Sequence, residues 1–366
     1  MKAIEEIKLG ILAYATDTGL GNQTRNYVKY IVKDPKILAI DLHRFNRMPV
    51  HKEWYPNVWA WTNGFPSNEE CAEFVKGLDC ILYAENPLNY NLLKYARKAG
   101  VKTISAYNFE FLDYFNDKKR ILPPPDLFAA PAKWNLDRVR SLNFAPVIEL
   151  PVPIETDKIP QRKINKLETI IHIIGRPAFK DRNNTVDFLR AISLLGNRFR
   201  YKIFVQPPTD DKAKQYFKPI LEQIKQSRKN IDIEVIENVD NYADIYREGD
   251  LLVLPRRYGG LCLPMQEALS SGIPVIMTDI EPNNTRLPKE WLVPAYPHEV
   301  FNYYTEIDVF RTEPAELAQV IAQFADPSFM TQQNKVAIKI AKDYSWESMR
   351  EVYIDTISKL VNNMEL

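Results

Sequence analysis

Residues 251–279, LLVLPRRYGGLCLPMQEALSSGIPVIMTD, constrain the fold more than any other part of the chain. An apolar run, Leu251–Leu254, ends in a polar loop holding Gly259 and Gly260. A short helix follows and closes at Gly272, and a second apolar run over 273–277 ends at Asp279. Neither run alternates, which is the pattern of strands covered on both faces in a parallel sheet. Pro264 suits the first turn of the helix, where its missing N–H costs nothing. Glu267 lies one turn in, near the mouth of the loop, and one carboxylate there can grip two vicinal hydroxyls. Backbone N–H groups at the glycines and at the helix start can hold phosphate oxygens. The unit therefore suits a ligand carrying both a ribose and a phosphate; an ordinary α/β unit with a solvated glutamate is the alternative.

These residues resemble the donor-binding signature of the retaining glycosyltransferase family 4, of the GT-B superfamily, which runs roughly E-G-F-G-L-P-x-x-E-A-x-x-x-G-x-P-V. Here the stretch 259–275 reads GGLCLPMQEALSSGIPV. The resemblance implies an α/β GT-B fold: two Rossmann-like domains facing across a deep cleft, with a C-terminal helix crossing back. It places Glu267 on the family glutamate that binds the donor ribose, and Gly259, Gly260, Leu261, Cys262 and Leu263 around the donor. The family's first glutamate, usually near the sugar, is Gly259 here, and Cys262 stands where a second loop glycine is usual. The nucleotide half of the signature matches and the sugar half departs.

Size and composition fit such a chain. A sequence of 366 residues can bury two substantial cores. Lys+Arg total 48 against 47 for Asp+Glu, so bulk charge draws it toward neither nucleic acid nor an anionic membrane. Cys71, Cys80 and Cys262 form no CxxC pair, which fits a reducing, cytoplasmic compartment. His43, His51, His172 and His298 have no metal-ligand spacing. The N-terminal residues MKAIEEIKLGILAYA carry acidic residues and too short an apolar run for a signal peptide or a span.

The pattern places domain boundaries at 1–155, a proline-rich linker at 156–165, a second domain at 166–345 and a final helix at 346–366, and the resemblance implies that these are the acceptor domain, the linker, the donor domain and a helix bracing the first domain. A first strand over 9–15 runs into DTGLGNQT and a helix over 25–32. Gly19 and Gly21 permit tight turning and close approach of a ligand there, or they simply start the first βα unit. In the related enzymes this loop faces the donor phosphates. Asp41, about twenty residues on, could serve an NAD ribose, but the loop lacks the full GxGxxG spacing. Glu85, Tyr107 and Glu110 lie beyond further strand ends, where α/β sites gather, and are candidate acceptor contacts; caps and surface ion pairs are the plainer reading of the two glutamates.

In the second domain a strand over 169–174 precedes GRPAFKDR. Related enzymes carry G-R-x-x-x-K here, and the resemblance assigns Arg176 and Lys180, beside Gly175, to the donor diphosphate. Fixed cations stabilise the charge that develops on a leaving diphosphate. Glu237 and Val239 correspond loosely to the segment that surrounds the nucleotide base. Near the end, YSWE over 344–347 resembles the family's terminal S-W motif, with Ser345 as N-cap of an amphipathic helix.

The resemblance implies a nucleotide-sugar-dependent, hexosyltransferase-like enzyme that works with retention and requires no metal or cofactor, the nucleotide sugar being a co-substrate. A saccharide or glycolipid is the first acceptor class. The aromatic residues Trp54, Trp59, Trp61, Tyr83, Tyr107, Phe109 and Tyr114 leave DNA with modified bases open as an acceptor, and peripheral membrane contact stays open too. The rival readings are a non-catalytic scaffold, motivated by Gly259, a sugar-nucleotide epimerase, and an NAD enzyme.

Overall fold

The structure is a computed structural model that describes residues 2–43, 49–116, 122–175, 179–208, 211–237, 239 and 241–366. The chain divides into two compact units: Met1–Pro153 with Asn302–Thr305 and Trp346–Leu366, and Ile154–Phe301 with Glu306–Ser345.

The first unit alternates strands and helices: β1 Leu9–Tyr14, α1 Gly19–Tyr30, β2 Lys36–Asp41, β3 Ala60–Asn63, α2 Asn68–Phe74, β4 Cys80–Ala84, α3 Asn91–Ala99, β5 Lys102–Ala106, β6 Leu127–Ala130, α4 Leu136–Arg140 and β7 Val147–Glu149. Among the described residues these strands form a seven-stranded sheet in the order β3-β2-β1-β4-β5-β6-β7, every pair parallel. The twofold period of a strand sorts its side chains onto two faces. Leu9, Ile11 and Ala13 join Cys80, Leu82 and Ala84 in one layer, under Tyr27 of α1. Leu12 and Tyr14 join Ile81 and Tyr83 in the other, under Phe74 of α2 and Leu92 and Leu93 of α3. Covering both faces is what makes β1 and β4 apolar without interruption.

The same unit contains the last helix of the chain, Trp346–Val361. The Trp346 ring stacks on Tyr30 with centroids 5.0 Å apart. The Tyr353 hydroxyl donates to the Pro151 carbonyl at 3.0 Å, and Arg350 Nε donates to the Tyr30 carbonyl at 2.8 Å. The sequence pattern placed the first helix over 25–32; α1 starts six residues earlier, because Thr18 caps it by accepting from the Gly21 N–H at 3.1 Å. Gly19 and Gly21 thus lie in a helical turn.

The second unit holds β8 Thr169–Gly175, α5 Thr185–Leu195, β9 Arg200–Val205, α6 Asp211–Ser227, β10 Ile233–Glu237, α7 Asp244–Glu248, β11 Leu251–Leu254, α8 Leu263–Ser270, β12 Val275–Thr278, β13 Leu292–Val293, the ribbon strands β14 Tyr296–Asn302 and β15 Glu306–Arg311, α9 Pro314–Gln323 and α10 Pro327–Asp343. The helix that closes the chain is accordingly α11. Among the described residues the main sheet has six strands in the order β10-β9-β8-β11-β12-β13, again parallel throughout. The segment 154–165, proline-rich in sequence, belongs to this unit, where Ile154, Ile159 and Ile164 enter its core.

His172 shows how tightly that sheet is made. It is fully buried on β8, with Nδ1 2.7 Å from the Val253 carbonyl of β11 and Nε2 3.0 Å from the Thr185 hydroxyl of α5. Burial pushes its pKa down to about 4, so it is a neutral structural link between β8 and β11. No helix among the described residues is long and apolar enough to cross a membrane.

Candidate functional site

In an open parallel sheet, ligands bind outside the carboxyl ends of the strands where the strand order reverses. In the second unit that point lies between β8 and β11, which pair in parallel. Gly175 ends β8 and the loop after it carries Lys180; the loop after β11 carries Gly259, Gly260 and Leu261 and leads to α8. Strand order therefore brings together two motifs some eighty residues apart in sequence. Arg176 lies outside the described residues.

The loop after β8 is conformationally costly. Lys180 and Asp181 are consecutive non-glycine residues at φ +57° and +46°, and each such position costs about 1–3 kcal/mol unless its surroundings over-determine it. Here they do. Arg257 Nη1 donates to the Lys180 carbonyl at 3.0 Å and the Tyr258 hydroxyl donates to the Phe179 carbonyl at 2.6 Å. The Arg257 N–H donates to the Arg182 carbonyl at 2.8 Å. The Val186 N–H donates to the Asp181 carboxylate at 3.0 Å. The loop after β11 thus clamps the loop after β8. Lys180 Nζ lies 2.5 Å from the Glu299 carboxylate of β14, which it holds below the usual carboxylate range.

The glycine loop itself is built around an arginine. Gly259 adopts φ +119°, and a Cβ added there would lie 2.5 Å from Arg256 Nη2. A glutamate at this position, as the family signature has it, would be strained in backbone and would collide with the guanidinium. Gly260, Leu261 and Leu263 are half-buried and Cys262 is buried. Cys262 is the N-cap of α8 and offers no side-chain cap, so the first-turn N–H groups are free of that competition.

Glu267 is half-buried on α8 and accepts a hydrogen bond from the Tyr246 hydroxyl at 2.7 Å. Burial raises its pKa; the Tyr246 hydrogen bond and the positive charge of Lys158 oppose that rise, and Glu155 adds to it. Tyr246 is buried, and burial together with the Glu267 charge keeps it protonated. One carboxylate oxygen is thereby engaged and the group is aimed, leaving acceptor capacity for hydroxyl donors. Glu237 is exposed at the end of β10, and Val239 is half-buried against the core of the unit.

The first unit has its own reversal point, between β1 and β4. Gly21 is buried there, and a Cβ on it would lie 1.8 Å from the Thr16 carbonyl oxygen. That glycine closes the helix start against the preceding loop; Gly19 is exposed. Glu85, at φ +67°, follows β4 and accepts from Asn108 Nδ2 at 3.1 Å. Tyr107 is a core residue, packed edge-on against Phe128 and 1% exposed, so its ring offers no face for stacking. Glu110 is buried in a short 3-10 turn. Of the aromatic candidates, Tyr83, Phe109 and Tyr114 are also core residues, and Trp59 is exposed.

Two features escaped the sequence analysis. His51 is held between Asp17, 2.7 Å from Nε2, and Glu53, 3.0 Å from Nδ1, beside the loop after β1. Burial opposes its protonation, but the two carboxylates outweigh burial and raise its pKa. No spacing rule links these three residues. The second is Arg256, whose burial could not be read from a run of two arginines. Among the described residues no cluster of His, Cys, Asp and Glu is arranged to hold a metal ion.

Residues 168–305 match the family model described as Glycosyl transferases group 1. Solved structures share the fold over nearly the whole chain. A glycosyltransferase from Rickettsia africae ESF-5 aligns with TM-score 0.70 at 12% identity, covering 97% of this chain and 99% of that one. The Anabaena protein HepE, in complex with UDP, aligns with TM-score 0.70 at 10% identity over 96% and 100%. Sucrose-phosphate synthase from Thermosynechococcus elongatus aligns with TM-score 0.69 at 13% identity over 98% and 100%. No curated protein matches the sequence. The chain has the two-domain α/β GT-B fold.

Proposed function

We propose that the protein is a nucleotide-sugar-dependent glycosyltransferase that moves a hexose to an acceptor hydroxyl with retention of anomeric configuration. The observation that carries this is Glu267, a carboxylate aimed by Tyr246 on the first helix after the glycine loop, within the segment that matches the family model. The Glu267 carboxylate accepts hydrogen bonds from two ribose hydroxyls. Lys180, on its over-determined loop, and Arg176 neutralise the diphosphate. When the bond between the anomeric carbon and the phosphate oxygen breaks, the acceptor oxygen bonds to that carbon on the same face, and its proton passes to the departing phosphate. The cations lower the barrier because the charge they face grows as the bond breaks.

The HepE structure is a complex with UDP, which supports a nucleoside diphosphate as the ligand here. The reading requires no metal and no further cofactor. A saccharide or lipid-linked glycan is the proposed acceptor, with Glu85 and Glu110 as its candidate partners. Three free, buried cysteines fit a cytoplasmic protein.

The test is nucleoside diphosphate binding by calorimetry, then transfer of labelled sugar to oligosaccharides, glycolipids and hydroxymethylated DNA. Glu267→Ala should weaken nucleotide binding at least tenfold with the melting temperature preserved. Absence of binding across a broad donor panel rejects the proposal. Gly259, which supplies no carboxylate, favours one second reading: a protein that binds donor without turnover. Product formed from any donor excludes it.

A further inference from the structure

Arg256 and Arg257 are neighbours in sequence with opposite environments. Arg257 is fully engaged: Nε donates to the Phe310 carbonyl and Nη1 to the Lys180 carbonyl, both at 3.0 Å, and Nη2 lies 3.8 Å from Glu299. Arg256 is 5% exposed. Among the described residues the only hydrogen bonds of its side chain run from Nη1 to the Gly260 and Leu261 carbonyls, both at 3.4 Å, beyond the usual range for such a bond. Its Nε is buried without a hydrogen-bond partner, and no carboxylate among the described residues pairs with it. Burying a guanidinium without a counter-charge is costly, and a fold that needed only a plug here would do better with an apolar side chain.

The direction of the side chain says what the charge is for. Nη2 lies so near Gly259 that a Cβ there would have to displace it, and Nη1 points at the next two carbonyls. The loop ends at α8, an eight-residue helix whose N-cap residue supplies no acceptor to its first turn. A helix start and a buried, uncompensated guanidinium converge on one loop, and both favour negative charge.

We infer that Arg256 and the first turn of α8 form an oxyanion site whose occupant is a phosphate or carboxylate group of the donor. This rests on the proposed function for the identity of the ligand, not for the existence of the site. Gly259 is then the residue that admits the guanidinium, and the exchange of a carboxylate for a cation at this loop changes which donors the site accepts. A carboxylate selects hydroxyl donors, whereas a guanidinium selects oxyanions.

The experiment uses the full chain and four probes: inorganic pyrophosphate, UDP, UDP-glucose and UDP-glucuronate. Affinity is measured by calorimetry and unliganded melting by scanning fluorimetry. Arg256→Gln and Arg256→Met should lose at least tenfold in affinity for one or more probes while melting at or above the wild-type temperature. Arg256→Lys should retain part of the affinity. If the occupant is a phosphate, pyrophosphate and all three nucleotides weaken together; if it is a sugar carboxylate, UDP-glucuronate alone weakens. Unchanged affinity for all four probes in Arg256→Gln overturns the inference. So does a lowered melting temperature with affinity losses matched by Arg257→Gln, which would make Arg256 a structural pin. Pyrophosphate binding lost in Arg256→Gln without sugar transfer by the wild type would keep the site and remove the proposed function. Transfer by Arg256→Gln at wild-type affinity would do the reverse.

Discussion

The two strand-to-helix junctions at the reversal points of the two sheets use glycine for opposite purposes. After β1, Gly21 lets the first turn of α1 press against the Thr16 carbonyl, and Thr18 caps that turn from within. After β11, Gly259 leaves room for a charged side chain, and the helix start behind it has no side-chain cap. The first junction is closed by its own chain and the second is left open to an anion. A glycine at such a junction therefore does not announce a ligand; what packs behind it decides.

The largest expected effect tests that contrast directly. Gly21→Ala forces a Cβ onto a backbone oxygen that has no rotamer with which to escape, and should cost roughly 3 kcal/mol or more. Gly259→Ala meets the end of a flexible arginine and a strained φ, and should cost about 1–2 kcal/mol. Urea denaturation of both variants measures this; equal costs would break the comparison.

Acid should separate the two units next. His172 binds β8 to β11 and stays neutral down to about pH 4, whereas the unfolded chain protonates it near the ordinary value of about 6.5. The unfolded state thus binds more protons between those values. The stability His172 confers is complete above the unfolded value and is lost as pH falls toward about 4, on the order of 3 kcal/mol. β1 and β4 carry no histidine. Hydrogen exchange at falling pH should therefore open β8 and β11 first, and simultaneous opening of β1 and β4 would contradict the account.

A smaller effect concerns Glu267. Its pKa is raised by burial and restrained by the Tyr246 hydrogen bond. Because only the ionised carboxylate accepts two hydroxyls, nucleotide binding should weaken toward acid with a midpoint above the ordinary carboxylate value. Tyr246→Phe should move that midpoint up and cost roughly tenfold in affinity where the group is partly protonated, an amount typical of one hydrogen bond to a charge. A pH-independent loss in this variant would mean that Tyr246 acts only as packing.

The smallest effect returns to the closed junction. Asp17→Asn removes one of the carboxylates that raise the His51 pKa against the effect of burial. The imidazole should titrate at lower pH by NMR, while stability changes by less than about 1 kcal/mol, as expected for an exposed pair. A large stability loss would make this dyad part of the closure.

Much of the second unit was legible because its signals are local. The run Leu251–Leu254 forms β11 with those limits. Pro264 and Glu267 lie on the helix they pointed to, and the continuous apolar strands correctly implied parallel sheets. The first unit was less legible. Its first helix begins at Gly19 because a threonine cap, a weak and common signal, outweighs the low helix propensity of glycine. Tyr107, read from its position after a strand, went into the core because aromatic residues at strand ends serve packing as readily as binding.

Local pattern by itself determined the alternation of strands and helices, the covered sheets and the glycine loop before α8, since each depends on residues a few places apart. Tertiary structure decided the rest. Lys180 faces Glu299, which is 119 residues away. Tyr246 aims Glu267 across two elements. Among the described residues, one of two adjacent arginine side chains finds three partners and the other finds two carbonyls at 3.4 Å. Identical side chains diverge in this way because burial and counter-charge belong to the surroundings, which are assembled only when strand order brings distant loops together.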